Sequence, residues 1–210
     1  ALHLGTLVGV LSYFWRDIRD LLIVPSQRPL VGYLIVATIP GAIAGLLLEH
    51  KVETLFRAPA LIACTLILMG GALALADRMN KGDKTVADIN LKTALLVGFA
   101  QALALIPGVS RSGITITTGL ALGLARPEAA RFSFLLSMPI IAGAGIMKAH
   151  TIFSSPNPGA VGAGFVAAAL SGFAAIWMLM RYVQRRRYTP FVIYRWILGA
   201  LILLNLSRFS

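Results

Sequence analysis

Long apolar runs, separated by short polar segments, dominate the sequence. Several of them approach the roughly 20 residues that an α-helix needs to cross the hydrocarbon core of a membrane. The pattern therefore predicts an all-α integral membrane protein with spanning helices joined by short loops. The six spanning helices are expected to begin near Ala1, Val31, Ala58, Phe132, Ala160 and Phe191.

The spacing of these helices indicates an internal repeat. Each helix of the second half starts about 130 residues after its counterpart in the first half. Three spanning helices per half invert the second half relative to the first, as in many membrane proteins with a site near the midplane. We expect a single membrane domain over residues 1–210. Residues 1–76 form the first repeat, 77–90 a cytoplasmic loop and 91–210 the second repeat.

The second repeat contains an extra element at residues 91–124, which is interrupted by the stretch Pro107–Gly113. Its two halves would be roughly 24 Å and 18 Å long as helices, against about 30 Å of hydrocarbon. Basic residues flank both ends, so the element is predicted to be a re-entrant helical hairpin. By symmetry the first repeat needs its own hairpin upstream of Ala1, and we expect an N-terminal truncation of about 40 residues or more.

Composition supports a membrane protein and changes how the charge is interpreted. The chain is 58% hydrophobic, its mean hydropathy is +0.81 and its net charge is +11. The basic residues gather between the apolar runs, so the positive-inside rule explains them and nucleic-acid binding is not expected. The clusters placed on the cytoplasmic side are Arg16, Arg19 and Arg28; Arg78, Lys81, Lys84 and Lys92; Arg126 and Arg131; and Arg181, Arg185, Arg186 and Arg187.

Arg111 is a charge inside an otherwise apolar stretch, where it costs roughly 2.5–3.5 kcal/mol even on a lenient insertion scale. Pro107 and Gly108 break the helix just before it, and hydroxyl side chains surround it at positions 110, 112 and 115. Free backbone N–H groups and the helix dipole favour an anion at such a helix start. The tip of the hairpin is therefore predicted to bind a phosphoryl group.

Two alternatives remain open at this level. Ser110 could serve only as a helix cap while Arg111 extends to an interface or a carbonyl. The broken helix could also belong to a transporter or lipid flippase that holds an anionic headgroup.

The stretch Pro107-Gly108-Val109-Ser110-Arg111-Ser112-Gly113-Ile114-Thr115 resembles the signature of the undecaprenyl-pyrophosphate phosphatases, the bacitracin-resistance family. Further similarity lies at Gln101–Ala104, at Glu128–Leu136 and near Tyr13–Asp17, so the resemblance covers essentially the whole chain.

This resemblance implies hydrolysis of undecaprenyl pyrophosphate at the outer face of the bacterial inner membrane, which recycles the lipid carrier for cell-wall synthesis. It implies a polyprenyl pyrophosphate substrate and a divalent cation, Mg²⁺ or Ca²⁺. The oligomeric state stays open. The residues implied in catalysis are Arg111 and Ser110, and those implied in substrate binding are Ser112, Gly108, Gly113 and Thr115.

The sequence departs from the family in one respect. The upstream family motif, rich in Glu and with a Ser-Ser-Thr-Gly-His run, is not among these 210 residues. The acidic residues present are expected in loops or at helix ends, so no metal ligands or base are assigned, and the 210 residues alone are expected to be inactive. Glu128 is expected to pair with a charge or begin a helix rather than act in catalysis. His3 is a weak site candidate.

Overall fold

The computed structural model describes residues 2–55, 58–147 and 158–206, and these ranges are almost entirely helical. Within them lie nine α-helices and three short 3₁₀ turns. The helices are α1 (Leu2–Tyr13), α2 (Trp15–Ile23), α3 (Arg28–Leu55), α4 (Pro59–Met79), α5 (Leu91–Ala102), α6 (Arg111–Ala121), α7 (Arg126–Met147), α8 (Pro158–Val183) and α9 (Thr189–Leu204). The predicted all-α class is confirmed.

Three of the described helices are long and apolar enough to cross a membrane: Pro25–Leu48, Pro59–Met79 and Gly159–Val183. Large apolar side chains on two of them point away from the protein, with Leu46 74% and Leu170 68% exposed. Outward-facing apolar surface of this extent is typical of contact with lipid. The protein is therefore a helical membrane protein.

Several helix ends differ from the sequence-based limits. Helix α1 ends at Tyr13, and the charged residues that follow lie in the separate helix α2. Helix α7 begins at Arg126 rather than Phe132, so Arg126 and Arg131, expected in a loop, lie in its first two turns. Pro127 and Glu128 explain the earlier start, because proline and acidic side chains both favour the first turn of a helix.

Small residues allow the helices to pack closely. A Cβ on Gly5 of α1 would lie 2.3 Å from the carbonyl oxygen of Phe165 in α8. Similarly, a Cβ on Gly98 of α5 would lie 2.6 Å from the carbonyl oxygen of Ala37 in α3. Only glycine permits backbones to approach so closely, as is common between membrane helices. Helix α4 packs against α9, and α6 contacts α4, α5 and α7, which places α6 inside the bundle.

A buried polar network joins three helices at one end of the protein. Asp77, in the last turn of α4, is 3% exposed. Its carboxylate accepts hydrogen bonds from Arg126 Nε at 2.5 Å and from the backbone N–H of Tyr188 at 2.9 Å. Burial, reinforced by the charge of Asp77, raises the pKa of the Tyr188 phenol, which donates to the Arg126 carbonyl at 3.1 Å. The network fixes the ends of α4, α7 and α9 to one another.

Further polar contacts bring all four basic clusters to this end, which we call the basic end. Arg131 forms an ion pair with Asp17 of α2. Glu128 accepts a hydrogen bond from the backbone N–H of Val86 at 3.0 Å and lies 3.5 Å from Arg131. The expectation that Glu128 pairs with a charge near a helix start is confirmed.

The C-terminal end of α6 is also held at the basic end. The side-chain amide of Asn80 donates to the carbonyls of Leu120 and Leu124 at 2.8 and 2.9 Å. Lys84 and the segment after α6 exchange two backbone hydrogen bonds, to Gly123 and from Ala125. The last turn of α6 is thus fixed to the segment that follows α4.

Candidate active site

The helix break between α5 and α6 is packed directly on α4. Gly108 has φ +88°, a left-handed conformation that glycine adopts without strain. A Cβ there would lie 2.0 Å from Thr65 Oγ1 and 2.6 Å from the carbonyl oxygen of Ile62. Thr65 Oγ1 donates a hydrogen bond to the Pro107 carbonyl at 2.7 Å. Gly108 therefore shapes the break, and α4 fills the space that a side chain would need there.

Ser110 is the N-cap of α6. Its backbone is extended, and its Oγ accepts a hydrogen bond from the Gly113 N–H at 3.3 Å. The Oγ atoms of Ser110 and Ser112 are 3.3 Å apart. A capping hydroxyl keeps its own proton for donation, so the cap role and the predicted phosphate contact are compatible. The helix start exposes further N–H groups that suit an anion.

Arg111, the first residue of α6, is partly buried. Among the described residues its guanidinium has no hydrogen-bond or ion-pair partner, since only its backbone carbonyl is engaged, by Thr115. An unpaired guanidinium in apolar surroundings is unfavourable unless an anion neutralises it. Its position at a helix N-terminus adds the dipole of α6 to its own attraction for that anion.

A cavity of about 380 Å³ opens in front of Arg111. Its polar wall comes mostly from hydroxyl side chains, and its apolar wall from α1, α7 and α8. The polar wall consists of Thr6, Ser110, Arg111, Ser112, Ser133 and Ser137; the rest is Val10, Phe134, Ile141, Gly172, Ala175 and Ile176. This division suits a ligand with an anionic head and an apolar body.

Two predicted binding residues lie behind this wall. The Thr115 hydroxyl is buried, 2.7 Å from Ser133 Oγ, and bonds back to the Arg111 carbonyl at 2.9 Å. Thr115 therefore positions Ser133, which lines the cavity. Gly113 is buried against Arg195 of α9, where a Cβ would lie 2.0 Å from Nη2.

Sequence reasoning missed five residues at or beside the site: Thr6, Thr65, Ser133, Ser137 and Arg195. The serines and threonines carry no distinguishing signal, because hydroxyl side chains are common in membrane helices. Arg195 did carry one, since it is the single charged residue in the apolar run Phe191–Leu206. The criterion that singled out Arg111 applies to it equally.

The described residues do not form a divalent-cation site. Among them no group of three or more His, Cys, Asp or Glu side chains could hold a metal. The polar groups that line the cavity are hydroxyls and the guanidinium of Arg111, whereas Mg²⁺ and Ca²⁺ prefer carboxylate oxygens. His3 lies in α1, on the same helix as Thr6, and its side chain lies outside the described part. The cation stays a prediction, and no chemical step is routed through it.

The fold and the site together define a helical membrane protein with an anion-binding site at a broken helix. We call this site the anion cradle; it is formed by Ser110, Arg111 and Ser112 at the start of α6. Residues 1–201 match the family model described as bacitracin resistance protein BacA. The chain belongs to this family.

Curated relatives carry one name. The undecaprenyl-diphosphatase of Moorella thermoacetica is 51% identical over 208 residues, covering 96% of this chain and 80% of the relative. Those of Desulforudis audaxviator and Elusimicrobium minutum are 49% and 48% identical, each covering 97% of this chain and 80% and 81% of the relative. These three names give no support to the transporter or flippase alternative.

Proposed function

We propose that the protein hydrolyses undecaprenyl pyrophosphate to undecaprenyl phosphate and inorganic phosphate, recycling the lipid carrier of peptidoglycan synthesis and conferring bacitracin resistance. The observation that carries this proposal is Arg111, which lies unpaired among the described residues at the start of α6 and faces a cavity rich in hydroxyls. The family and the names of the relatives support the same activity.

In this mechanism the pyrophosphate occupies the N-terminus of α6. Arg111 binds phosphoryl oxygens, which a guanidinium can do bidentately, while Ser110 and Ser112 donate hydrogen bonds and orient the group. The oxygen of a water molecule bonds to the terminal phosphorus, the bond from that phosphorus to the bridging oxygen breaks, and the lipid monophosphate leaves with that oxygen. The described residues supply orientation and charge neutralisation, which contribute most of the catalysis in phosphoryl transfer.

The proposal includes six spanning helices and a re-entrant hairpin formed by α5 and α6. Helices α5 and α6 are roughly 18 and 17 Å long and meet at the break, so the chain can enter and leave the membrane on the same side. The C-terminal end of α6 is hydrogen-bonded to Asn80 at the basic end. The break before α6 contacts Thr65, which lies roughly 21 Å along α4 from Met79, the last residue of α4 at the basic end. This depth, about two-thirds of the length of α4, supports a tip inside the hydrocarbon core, beyond its midplane as seen from the basic end. With the basic end in the cytoplasm, the site opens towards the exterior of the bacterial inner membrane.

The test is phosphate release from undecaprenyl pyrophosphate by the purified protein as its gene encodes it, in detergent with Mg²⁺ or Ca²⁺. Arg111→Gln should lower kcat by about 10²–10³-fold, the usual cost of removing one transition-state donor. Arg111→Lys should recover only part of the loss, because lysine cannot bind bidentately.

Arg187→Gln is the matched control, since Arg187 is an exposed arginine at the basic end and lies outside the cavity. It should keep full activity. Unchanged hydrolysis in Arg111→Gln, or binding of the lipid headgroup without any phosphate release by the unaltered protein, contradicts the proposal.

A further inference from the structure

A second pocket opens at the basic end, beside the last turns of α8. Its volume is about 650 Å³, within the range of sites for small ligands. Its walls come from the end of α1, from the end of α8 and from the turn that follows α8. We call it the basic pocket, and its lining includes Tyr13, Trp177, Arg181, Tyr182, Arg185 and Arg186.

Three arginines give the basic pocket its charge. Arg181 lies in the last turn of α8, and Arg185 and Arg186 lie just after the helix. The backbone N–H groups of Arg185 and Arg186 both donate to the carbonyl of Tyr182, at 3.2 and 3.0 Å, which holds this turn against the end of α8. Three positive charges outweigh the partial negative charge, about half a unit, at a helix C-terminus. The basic pocket therefore attracts an anion.

An aromatic side chain supports one of these charges beside apolar surface. The guanidinium carbon of Arg181 lies 5.5 Å from the centre of the Trp177 ring, a distance typical of cation–π interactions. Trp177 and Met178 are 46% and 57% exposed, and they belong to a helix that is apolar enough to cross a membrane. Tryptophan is enriched at the level of the lipid headgroups. The basic pocket therefore lies where positive charge adjoins a surface typical of lipid contact.

Close packing of α1 on α8 fixes the walls of the basic pocket. A Cβ on Gly9 would lie 2.6 Å from a carbonyl oxygen of α8. Tyr13 lies one turn after Gly9, and its ring packs edge-on against Phe173 of α8 with the ring centres 5.8 Å apart. Asp17, one turn further on, pairs with Arg131 and does not line the pocket. The pocket is thus already shaped before a ligand enters.

We propose that the basic pocket binds the headgroup of an anionic phospholipid, with phosphatidylglycerol as the test case, from the membrane leaflet at the basic end. The arginines bind the phosphodiester, as basic pockets between membrane helices do for anionic headgroups. The acyl chains extend over the exposed apolar side chains of α8, which a free phosphate would leave unused. The basic pocket and the cavity at Arg111 share no lining residue, so the proposal does not depend on hydrolysis.

The test measures lipid binding to the delipidated protein, as its gene encodes it, in a neutral detergent. Native mass spectrometry follows the binding of dioleoylphosphatidylglycerol and of dioleoylphosphatidylcholine over a series of concentrations. Phosphatidylglycerol should bind at least about tenfold more tightly, because only this lipid carries a net negative charge. Inorganic phosphate added at the same concentration should not displace it, which distinguishes a lipid from a free anion.

Substitutions locate the binding. Arg181→Gln and Arg185→Gln should each weaken phosphatidylglycerol binding about fivefold, and Arg181→Lys should weaken it less because the charge remains. Trp177→Leu keeps an apolar side chain but removes the ring, and it should weaken binding about threefold. Arg187→Gln is the matched control, since it removes an exposed arginine of the same end that does not line the basic pocket. It should change binding by less than about twofold.

Equal weakening by Arg181→Gln and Arg187→Gln would mean diffuse attraction to the basic end and overturns the proposal. Equal binding of the two lipids, or displacement by phosphate, overturns it as well. So does loss of phosphatidylglycerol binding in Arg111→Gln, which would place the lipid in the anion cradle. Phosphate release in detergent should be the same in Arg181→Gln and in the unaltered protein. Failure of the proposed function would abolish that release and leave the lipid-binding result unchanged.

Discussion

The side-chain hydroxyl of Thr65 in α4 lies 2.7 Å from the carbonyl oxygen of Pro107 and donates a hydrogen bond to it. Helix α4 thereby holds the irregular backbone between α5 and α6 at the point where the helix is broken. Carbonyl groups in such a break lack the partners that a continuous helix provides, and in a membrane each must be satisfied within the protein. The position of the anion cradle therefore depends on a residue outside the signature motif.

Replacing Thr65 with valine, which has nearly the same shape, should leave the Pro107 carbonyl unsatisfied. We expect the free energy of unfolding to fall by about 1–2 kcal/mol and hydrolysis to weaken as the break shifts. Thermal unfolding in detergent and phosphate release measure the two effects. Thr38→Val is the control, because its hydroxyl bonds only to the Leu34 carbonyl of its own helix. Equal effects in both variants would show that the bond to Pro107 is unimportant.

The two glycines with positive φ form a second matched pair. Gly108 and Gly123 have φ of +88° and +90°, but a Cβ on Gly123 would have no neighbour nearer than 3.6 Å. Gly123→Ala should lower the free energy of unfolding only through backbone strain, by about 1 kcal/mol. Gly108→Ala should cost several times more and abolish hydrolysis, since its Cβ would overlap Thr65 and Ile62. Comparable Tm values for the two variants would refute this distinction.

Ser133 connects the cavity to Thr115 within α6. Ser133→Ala should destabilise the protein by about 1 kcal/mol and reduce kcat/KM for the lipid substrate several-fold, because the hydroxyl lines the cavity. Ser171→Ala, which removes an exposed hydroxyl of α8 bonded only to its own helix, should leave both quantities nearly unchanged. The paired measurement is steady-state kinetics together with Tm, and loss of activity in Ser171→Ala alone would contradict the assignment.

The buried pair of Asp77 and Arg126 should contribute to stability rather than to catalysis. Asp77→Asn leaves the partly buried guanidinium of Arg126 without its counter-charge, and we expect the free energy of unfolding to fall by about 2–3 kcal/mol. Asp20→Asn is the control, and its free energy of unfolding should change by no more than about 0.5 kcal/mol, since the pair of Asp20 with Arg19 is exposed. Tm reports the difference. KM for the lipid substrate should stay constant in both variants, and a large rise in Asp77→Asn would tie this network to the site instead.

The sequence was sufficient to predict the helical class, the membrane location and a helix break at Pro107 and Gly108. The limits of the break were wrong, because α5 ends at Ala102 and α6 begins at Arg111, inside the interruption predicted over Pro107–Gly113. The apolar runs and the position of Arg111 can be recognised within short stretches of sequence, so predicting from them does not require knowing how the helices pack. The packing of Arg195 against Gly113 could be found only from the structure, because α6 and α9 are distant in sequence and this contact depends on Gly113 lacking a side chain. For the same reason the serines of α7 could not be separated from ordinary packing residues.

The limits of the helices show a similar restriction on what can be predicted from the sequence. Hydropathy placed the start of α7 at Phe132, where the charges end, yet α7 already begins at Arg126. Its first two turns accommodate Arg126 and Arg131 because these charges pair with Asp77 and Asp17. Pairing across helices removes the cost that a charge would otherwise impose. Composition along one segment cannot reveal this.

Helix α6 is held at both ends, by Asn80 at its last turn and by Thr65 at the break that precedes it. An anion cradle held in this way has little freedom to close over its ligand. The lipid headgroup must therefore enter a site whose shape is already fixed before binding. Turnover would then depend on how quickly the long prenyl chain diffuses sideways through the bilayer. We expect the rate to follow membrane viscosity more closely than any motion of the protein.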